Sequence, residues 1–178
     1  MQKSLVSLAP ITIAALLSAG FFYTLGAKGV LLAALTLMAF AAAAFLVAAL
    51  SDIRTGRIDN MISVSLVIAC LAVTLLTDRT LLGFAGGLLA GFLFVVAAVL
   101  IQLTGGGWIK LAGALCVWAV PSDWQIAVFL LPASFVINLL AFRYLRPDLK
   151  AIPLGPAVGT VGVILMLTQI RRILASLA

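Results

Sequence analysis

The sequence contains no histidine and no glutamate, and only 9% of its 178 residues are charged. Soluble globular proteins carry about 25% charged residues because their surface must be polar. A chain that is 65% hydrophobic cannot form such a surface, so a soluble globular protein is excluded. The missing residue types restrict acid–base chemistry to lysine, tyrosine, cysteine and five aspartates, namely Asp52, Asp59, Asp78, Asp123 and Asp148.

Cysteine is scarce as well, since the chain has only Cys70 and Cys116. Both lie inside apolar stretches, and we predict packed thiols rather than a disulfide or metal ligands. Without histidine, glutamate or a cysteine pair at ligand spacing, the sequence predicts no metal site, and we expect no cofactor. The net charge of +6 can indicate nucleic-acid binding, but here the basic residues lie at the ends of apolar runs. That distribution is typical of membrane anchoring, so we expect membrane lipid and no nucleic acid as a partner.

Apolar runs bounded by charge, glycine or proline predict the helices. A helix needs about 20 apolar residues to cross the hydrocarbon core of a bilayer. The fifth run, Ile109–Val120, is shorter than this, and its length suits a half-buried or re-entrant segment. We therefore predict an all-α, polytopic transmembrane bundle of six to seven helices that forms one integral membrane domain over residues 1–178. The runs are Leu8–Leu25, Val30–Leu50, Met61–Leu76, Leu81–Leu103, Ile109–Val120, Trp124–Phe142 and Ile152–Ile170.

Glycine is frequent at close spacing in the fourth and seventh runs, for example at Gly87 and Gly91 and at Gly155 and Gly159. Small residues four apart let helices approach closely in lipid. We interpret these glycines as helix-packing positions.

The lysine and arginine distribution predicts the orientation of the bundle, because cytoplasmic loops carry an excess of these residues. With the N-terminus in the cytoplasm, more basic residues lie on the cytoplasmic side than on the other. This orientation places Ser51–Asn60 and Gly105–Gly107 at the same membrane face. The residues on the cytoplasmic side are then Lys3, Arg54, Arg57, Lys110, Arg143, Arg146 and Lys150.

Two polar segments interrupt the apolar pattern. Ser51–Asn60 follows the second run directly, and we expect Asp52 to lie one or two residues beyond the end of that helix. The second segment contains Gly105–Gly107, which predicts a break between helices because consecutive glycines disfavour helix and permit positive φ. Taken singly, the first segment is explained as a basic loop and the second as an ordinary helix break.

Taken together, the two segments resemble the membrane-embedded prepilin peptidases, aspartic proteases of type IV pilin-like precursors. That family has an Asp-x-x-x-x-x-Ile-Pro-Asn element after a transmembrane helix and, about fifty residues later, a Gly-x-Gly-Asp-x-Lys-Leu element. A third stretch, Ile152–Pro156, resembles the family's Ile-Pro-Phe-Gly-Pro. The resemblance covers residues 30–175, and the short length resembles the peptidases of tight-adherence pilus systems. The matching residues are Asp52, Arg57, Ile58 and Asn60 in the first element and Gly105, Gly107, Lys110 and Leu111 in the second.

The resemblance implies a site with Asp52 as one catalytic acid and Gly105, Gly107, Lys110, Arg57 and Asn60 as loop-shaping or substrate-binding residues. The family's proline falls on Asp59, and its second catalytic aspartate falls on Trp108. Aspartic proteolysis needs two carboxylates that share one proton, one acting as base and the other as acid. An indole is only a hydrogen-bond donor, so we expect severe loss of peptidase activity.

Another acid could in principle replace the missing one. Asp59 lies about 10 Å from Asp52 along a continuous helix, too far to share a proton unless the chain turns sharply at Gly56. Asp123 is expected at the opposite membrane face, and Asp148 lies in a basic loop where a surface role is expected. We interpret Trp108, like Trp118 and Trp124, as a residue of the membrane–water boundary.

Three functions follow from these patterns. The first is a prepilin peptidase fold with impaired catalysis, in the cytoplasmic membrane of a bacterial or archaeal cell, with its active-site loops facing the cytoplasm. Its partner would be a pilin-like precursor with a single hydrophobic helix. The second is a non-enzymatic adaptor that binds such a precursor for pilus assembly. The third is a small transporter, which is disfavoured because such proteins place charged groups at mid-depth, whereas every acid here falls near a predicted helix end. The sequence does not determine the oligomeric state.

Overall fold

The computed structural model of the chain describes residues 8–77, 80–101, 106–121, 123–145 and 152–175. These residues form seven helices and no strand, which confirms the predicted all-α bundle. The helices are α1 (Leu8–Tyr23), α2 (Ala27–Thr55), α3 (Asn60–Leu76), α4 (Leu81–Leu100), α5 (Gly106–Ala119), α6 (Trp124–Leu145) and α7 (Gly155–Ala175).

Four helices are long and apolar enough to cross a membrane, and three apolar helices are shorter. Large apolar side chains on the outer helix faces are exposed, such as Leu82 at 83% and Phe129 at 75%. An exposed apolar exterior is stable in lipid and costly in water, so the fold is that of a helical membrane bundle. The long spans are Lys28–Thr55, Leu81–Leu100, Trp124–Leu145 and Gly155–Ala175.

The helices alternate in direction, so their ends meet at two poles of the bundle. One pole, the Asp52 end, holds the end of α2 and the starts of α3, α5 and α7. The opposite pole, the Asp123 end, holds the α5–α6 connection and the last turn of α7. An ion pair of 2.6 Å between Asp123 and Arg172 joins these two segments. Asp123 thus lies at the pole opposite Asp52.

The short fifth run forms α5, a 14-residue helix in the interior of the bundle. Its Leu111 and Trp118 side chains are fully buried. Trp118 is therefore packed inside the bundle and does not face lipid, while its depth at the membrane–water boundary stays a prediction. Its indole Nε1 donates a hydrogen bond of 2.9 Å to the Leu66 carbonyl oxygen of α3, which satisfies the polar N–H inside the bundle. Trp124 is 54% exposed.

Glycines form two close helix seams, as their spacing predicts. A Cβ atom at Gly159 would lie 2.8 Å from the Phe45 carbonyl oxygen, where α7 crosses α2. A Cβ atom at Gly91 would lie 2.5 Å from the Gly113 carbonyl oxygen, where α4 crosses α5. Only residues without a side chain allow these backbones to come so close.

The second helix continues farther than the apolar run predicts. It ends at Thr55, so Asp52 lies in its last turn and not beyond its end. Polar side chains do not stop a helix by themselves. The helix stops where Gly56 adopts a left-handed conformation, with φ of 63°, and its N–H bonds to the Asp52 carbonyl oxygen, a common glycine C-cap.

Candidate functional site

The Asp52 carboxylate is buried at the Asp52 end, with only 7% of the residue exposed. Its Oδ2 atom accepts a hydrogen bond of 2.7 Å from the backbone N–H of Gly155. Gly155 is the first residue of α7, and helix N-termini stabilise a negative charge through their free N–H groups and dipole. The carboxylate therefore has a defined orientation and a favourable electrostatic partner.

Gly155 is required at this position by packing. A Cβ atom there would lie 2.7 Å from both the Cβ and the Oδ2 atoms of Asp52. The segment that leads into α7 is held in turn by α6, because the Asn138 side-chain amide donates 2.7 Å to the Pro153 carbonyl oxygen. The Ile152–Pro156 stretch thus positions the amide that binds Asp52.

Asn138 supports the candidate site, although the sequence patterns do not predict this role. It is 9% exposed and lies within the long apolar helix α6. A polar side chain inside a membrane span is costly unless it has a partner. An asparagine inside an apolar run therefore indicates a buried hydrogen-bond partner, but nothing in the sequence identifies that partner as Pro153.

The chain turns sharply after Gly56, and hydroxyl groups hold the turn. Ser51 Oγ donates to the Arg57 carbonyl oxygen at 2.8 Å, and Thr55 Oγ1 accepts from the Arg57 backbone N–H at 3.3 Å. The Arg57 side chain is exposed. Within the described ranges, no ion pair joins it to Asp52.

Asp59, considered above as a replacement acid, caps α3. Its Oδ1 atom accepts a hydrogen bond of 2.9 Å from the Met61 N–H. This is an ordinary N-cap role for an aspartate, and it occupies one carboxylate oxygen of this residue.

The two polar segments contact each other at the Asp52 end. The Lys110 ammonium donates a hydrogen bond of 2.7 Å to the Asn60 side-chain oxygen. Gly107 packs against Ile58 so closely that a Cβ atom at Gly107 would lie 3.1 Å from the Ile58 backbone nitrogen. Gly105, predicted to shape this loop, lies outside the described residues.

Trp108 occupies the position where the resemblance expects a second aspartate. It is only 8% exposed, so its ring packs inside the bundle, while its position at the membrane–water boundary stays a prediction. Its ring makes edge-to-face contacts with Phe94 of α4 at 6.4 Å and Phe135 of α6 at 5.5 Å between ring centroids. Such aromatic pairs add packing energy, so Trp108 ties the start of α5 to two neighbouring helices.

This arrangement provides one buried, oriented carboxylate near a turn that joins the second and third helices. A single carboxylate can bind or polarise a water molecule, but it cannot also supply the proton donor that peptide hydrolysis requires. Among the described residues, no three acidic or thiol side chains cluster closely enough to hold a metal ion.

Comparison with protein families matches residues 39–143 to the type IV leader peptidase family. Searches of curated proteins and of solved structures found no match. The matched region includes Asp52, Asn60 and Lys110, and it ends before Ile152–Pro156. Since it covers more than half of the sequence and both polar segments, this membrane protein belongs to the type IV leader peptidase family, the prepilin peptidases.

Proposed function

We propose that this protein binds pilin-like precursors with a single hydrophobic helix, and that its ability to cleave their leader is severely impaired. The proposed site faces the cytoplasm, in the cytoplasmic membrane of a bacterial or archaeal cell. The convergence of three segments supports the proposal most directly. The Asp52 carboxylate bonds to Gly155, and Asn60 of the same turn bonds to Lys110.

Asp52 is proposed as the remaining catalytic acid. In an active site of this class, one carboxylate takes a proton from the attacking water while the other donates a proton to the carbonyl of the scissile bond. The Gly155 N–H would orient the Asp52 carboxylate, which would act as the base. Gly107, Lys110, Arg57 and Asn60 are proposed to shape the loops around it.

Trp108 is proposed to account for the impairment. Its indole neither ionises near neutral pH nor accepts a proton. Losing one member of a catalytic unit typically lowers the rate by about 10⁴-fold or more, because the members act together.

The length of α2 supports the proposed depth of the site. Its 29 residues extend about 43 Å at 1.5 Å per residue, whereas the hydrocarbon core is about 30 Å thick. Part of the helix must therefore extend beyond the hydrocarbon core. Asp52 lies three residues before the end of the helix, at Thr55, and therefore close to one of the two ends of a helix that is longer than the hydrocarbon core.

The test is the substitution Trp108→Asp, assayed for cleavage of a purified prepilin-like precursor in lipid vesicles. We expect the parent chain to bind the precursor with little or no cleavage. We expect Trp108→Asp to raise the cleavage rate by about 100-fold or more, the range that a positioned general acid or base contributes. Adding Asp52→Asn to this variant should abolish the gain.

The matched control is Trp108→Asn, which removes the same aromatic contacts but supplies no acid. Removing a buried tryptophan costs about 3–5 kcal/mol of folding free energy, so both variants are compared for monodispersity and thermal unfolding. Equal cleavage by the parent chain, Trp108→Asn and Trp108→Asp would refute the assignment of position 108. Efficient cleavage by the parent chain would refute the impairment.

A further inference from the structure

A groove of about 460 Å³ lies between α3 and α5, and it begins at the Asp52 end. Its walls are mostly apolar, and its polar residues lie toward one end. The lining residues are Asn60, Ser63, Val64, Val67, Ile68, Lys110 and Ala114.

Lys110 gives this end of the groove a positive charge. It lies in the first turns of α5, and its side chain is exposed. Its ammonium bonds to the neutral amide oxygen of Asn60, and in the described part of the chain no carboxylate forms an ion pair with it. An ammonium at the headgroup level of a bilayer attracts anionic groups.

One turn deeper along α3, the Ser63 hydroxyl is buried and has no hydrogen-bond partner among the described residues. Buried hydroxyls normally have a partner, so this group is suited to an acceptor supplied from outside the chain. Beyond it, Val67 and Ile68 offer only apolar surface. The groove thus presents a cation, then a hydroxyl, then hydrocarbon.

The length of the groove suits a single extended chain. Along α3 it extends from Asn60 to Ile68, about 12 Å at 1.5 Å per residue, a shape that suits an acyl chain.

We propose that this groove binds one anionic phospholipid, with its phosphate at Lys110, an ester carbonyl at Ser63 and an acyl chain along Val67 and Ile68. A phospholipid presents a charged group, an ester and a hydrocarbon chain in the same order as the groove presents their partners. The site does not depend on the proposed function, and its test involves no cleavage.

The test is titration of the full chain in detergent micelles with dioleoyl phosphatidylglycerol or dioleoyl phosphatidylcholine, with bound lipid counted by native mass spectrometry. We expect about fivefold tighter binding of phosphatidylglycerol, since one basic residue near an anionic headgroup contributes about that factor. Lys110→Gln keeps a donor for Asn60 but removes the charge, and it should abolish the preference. Lys110→Arg should retain it.

Arg143→Gln is the matched control, because Arg143 is an exposed cation in the last turn of α6 at the same end. It should leave the preference unchanged, and an equal loss in Arg143→Gln and Lys110→Gln would overturn the proposal in favour of a diffuse basic surface. Val64→Trp, which fills the groove, should weaken binding of both lipids. If it instead leaves lipid binding unchanged and blocks cross-linking to a single-span precursor, the groove binds a protein helix and the proposal is wrong.

Discussion

At the scale of single residues, the contact between Asp52 and Gly155 is the most constrained feature of the site. The two residues are 103 positions apart and are joined by a hydrogen bond of 2.7 Å. The missing side chain of Gly155 is what lets the carboxylate reach the N-terminus of α7. Any side chain at position 155 would displace the acid that we propose as catalytic.

We predict that Gly155→Ala destabilises the protein by about 1–3 kcal/mol, the usual cost of overpacking. The added methyl group would lie 2.7 Å from Asp52 Cβ, so the carboxylate or the start of α7 must move. Thermal or denaturant unfolding in detergent micelles measures the effect. The control is Gly20→Ala, because Gly20 lies in α1 with no atom within 4 Å of an added Cβ, and alanine there should stabilise the helix by up to about 1 kcal/mol. An equal effect of the two substitutions would contradict the packing argument.

At the scale of helices, glycine seams decide which helices pack in direct backbone contact. In α4, Gly91 lies against the backbone of Gly113, whereas Gly86 lies in the same helix with only Val120 Cγ1 at 3.7 Å from an added Cβ. A flexible side-chain atom at that distance makes an ordinary van der Waals contact. The Gly113 carbonyl oxygen, at 2.5 Å from a Cβ added at Gly91, belongs to the backbone and can move away only if its helix moves.

We therefore predict that Gly91→Ala destabilises the bundle by about 1–3 kcal/mol, while Gly86→Ala is neutral or slightly stabilising. Because α5 carries Trp108 and Lys110, a shift of the α4–α5 seam should also displace the proposed site. Unfolding measurements on the two variants check the prediction. It fails if Gly86→Ala is as destabilising as Gly91→Ala.

At the scale of the whole molecule, alternating helices put the turn at Arg57 and the α1–α2 connection at opposite poles of the bundle. The excess of basic residues predicts that the Arg57 pole faces the cytoplasm. In that orientation the Lys110 ammonium meets the anionic cytoplasmic leaflet. The orientation stays a prediction until it is measured.

We predict that Arg57→Cys reacts with a membrane-impermeant maleimide only after cells are permeabilised, while Leu25→Cys reacts in intact cells. Both positions are exposed. The parent chain supplies the background, because Cys70 is buried and Cys116 is half-buried. The reverse pattern of labelling would place the Asp52 end outside the cytoplasm and rule out the proposed site of leader cleavage.

Composition and the order of residues were enough to predict a helical membrane bundle of the prepilin peptidase family. Composition indicates that the chain folds in lipid, because a chain with so few charges cannot form a polar surface. In lipid, an apolar segment must satisfy its backbone hydrogen bonds as a helix. The order and spacing of three short elements, at Asp52–Asn60, Gly105–Leu111 and Ile152–Pro156, indicated the family, which the family match confirms. Both inferences depend on residue types and their order, which the sequence contains directly.

Three contacts are visible in the folded chain alone: Asp52 bonds to Gly155, Asn138 supports that segment, and Trp108 packs between Phe94 and Phe135. Each of these contacts joins residues on different helices, and it depends on how closely the helices approach and which faces they turn to each other. Hydrophobicity cannot specify those faces in a bundle whose lipid-exposed and buried surfaces are equally apolar. The sequence therefore predicts that a tryptophan near a helix start lies at the membrane–water boundary, whereas in the fold the Trp108 ring packs in the core of the bundle.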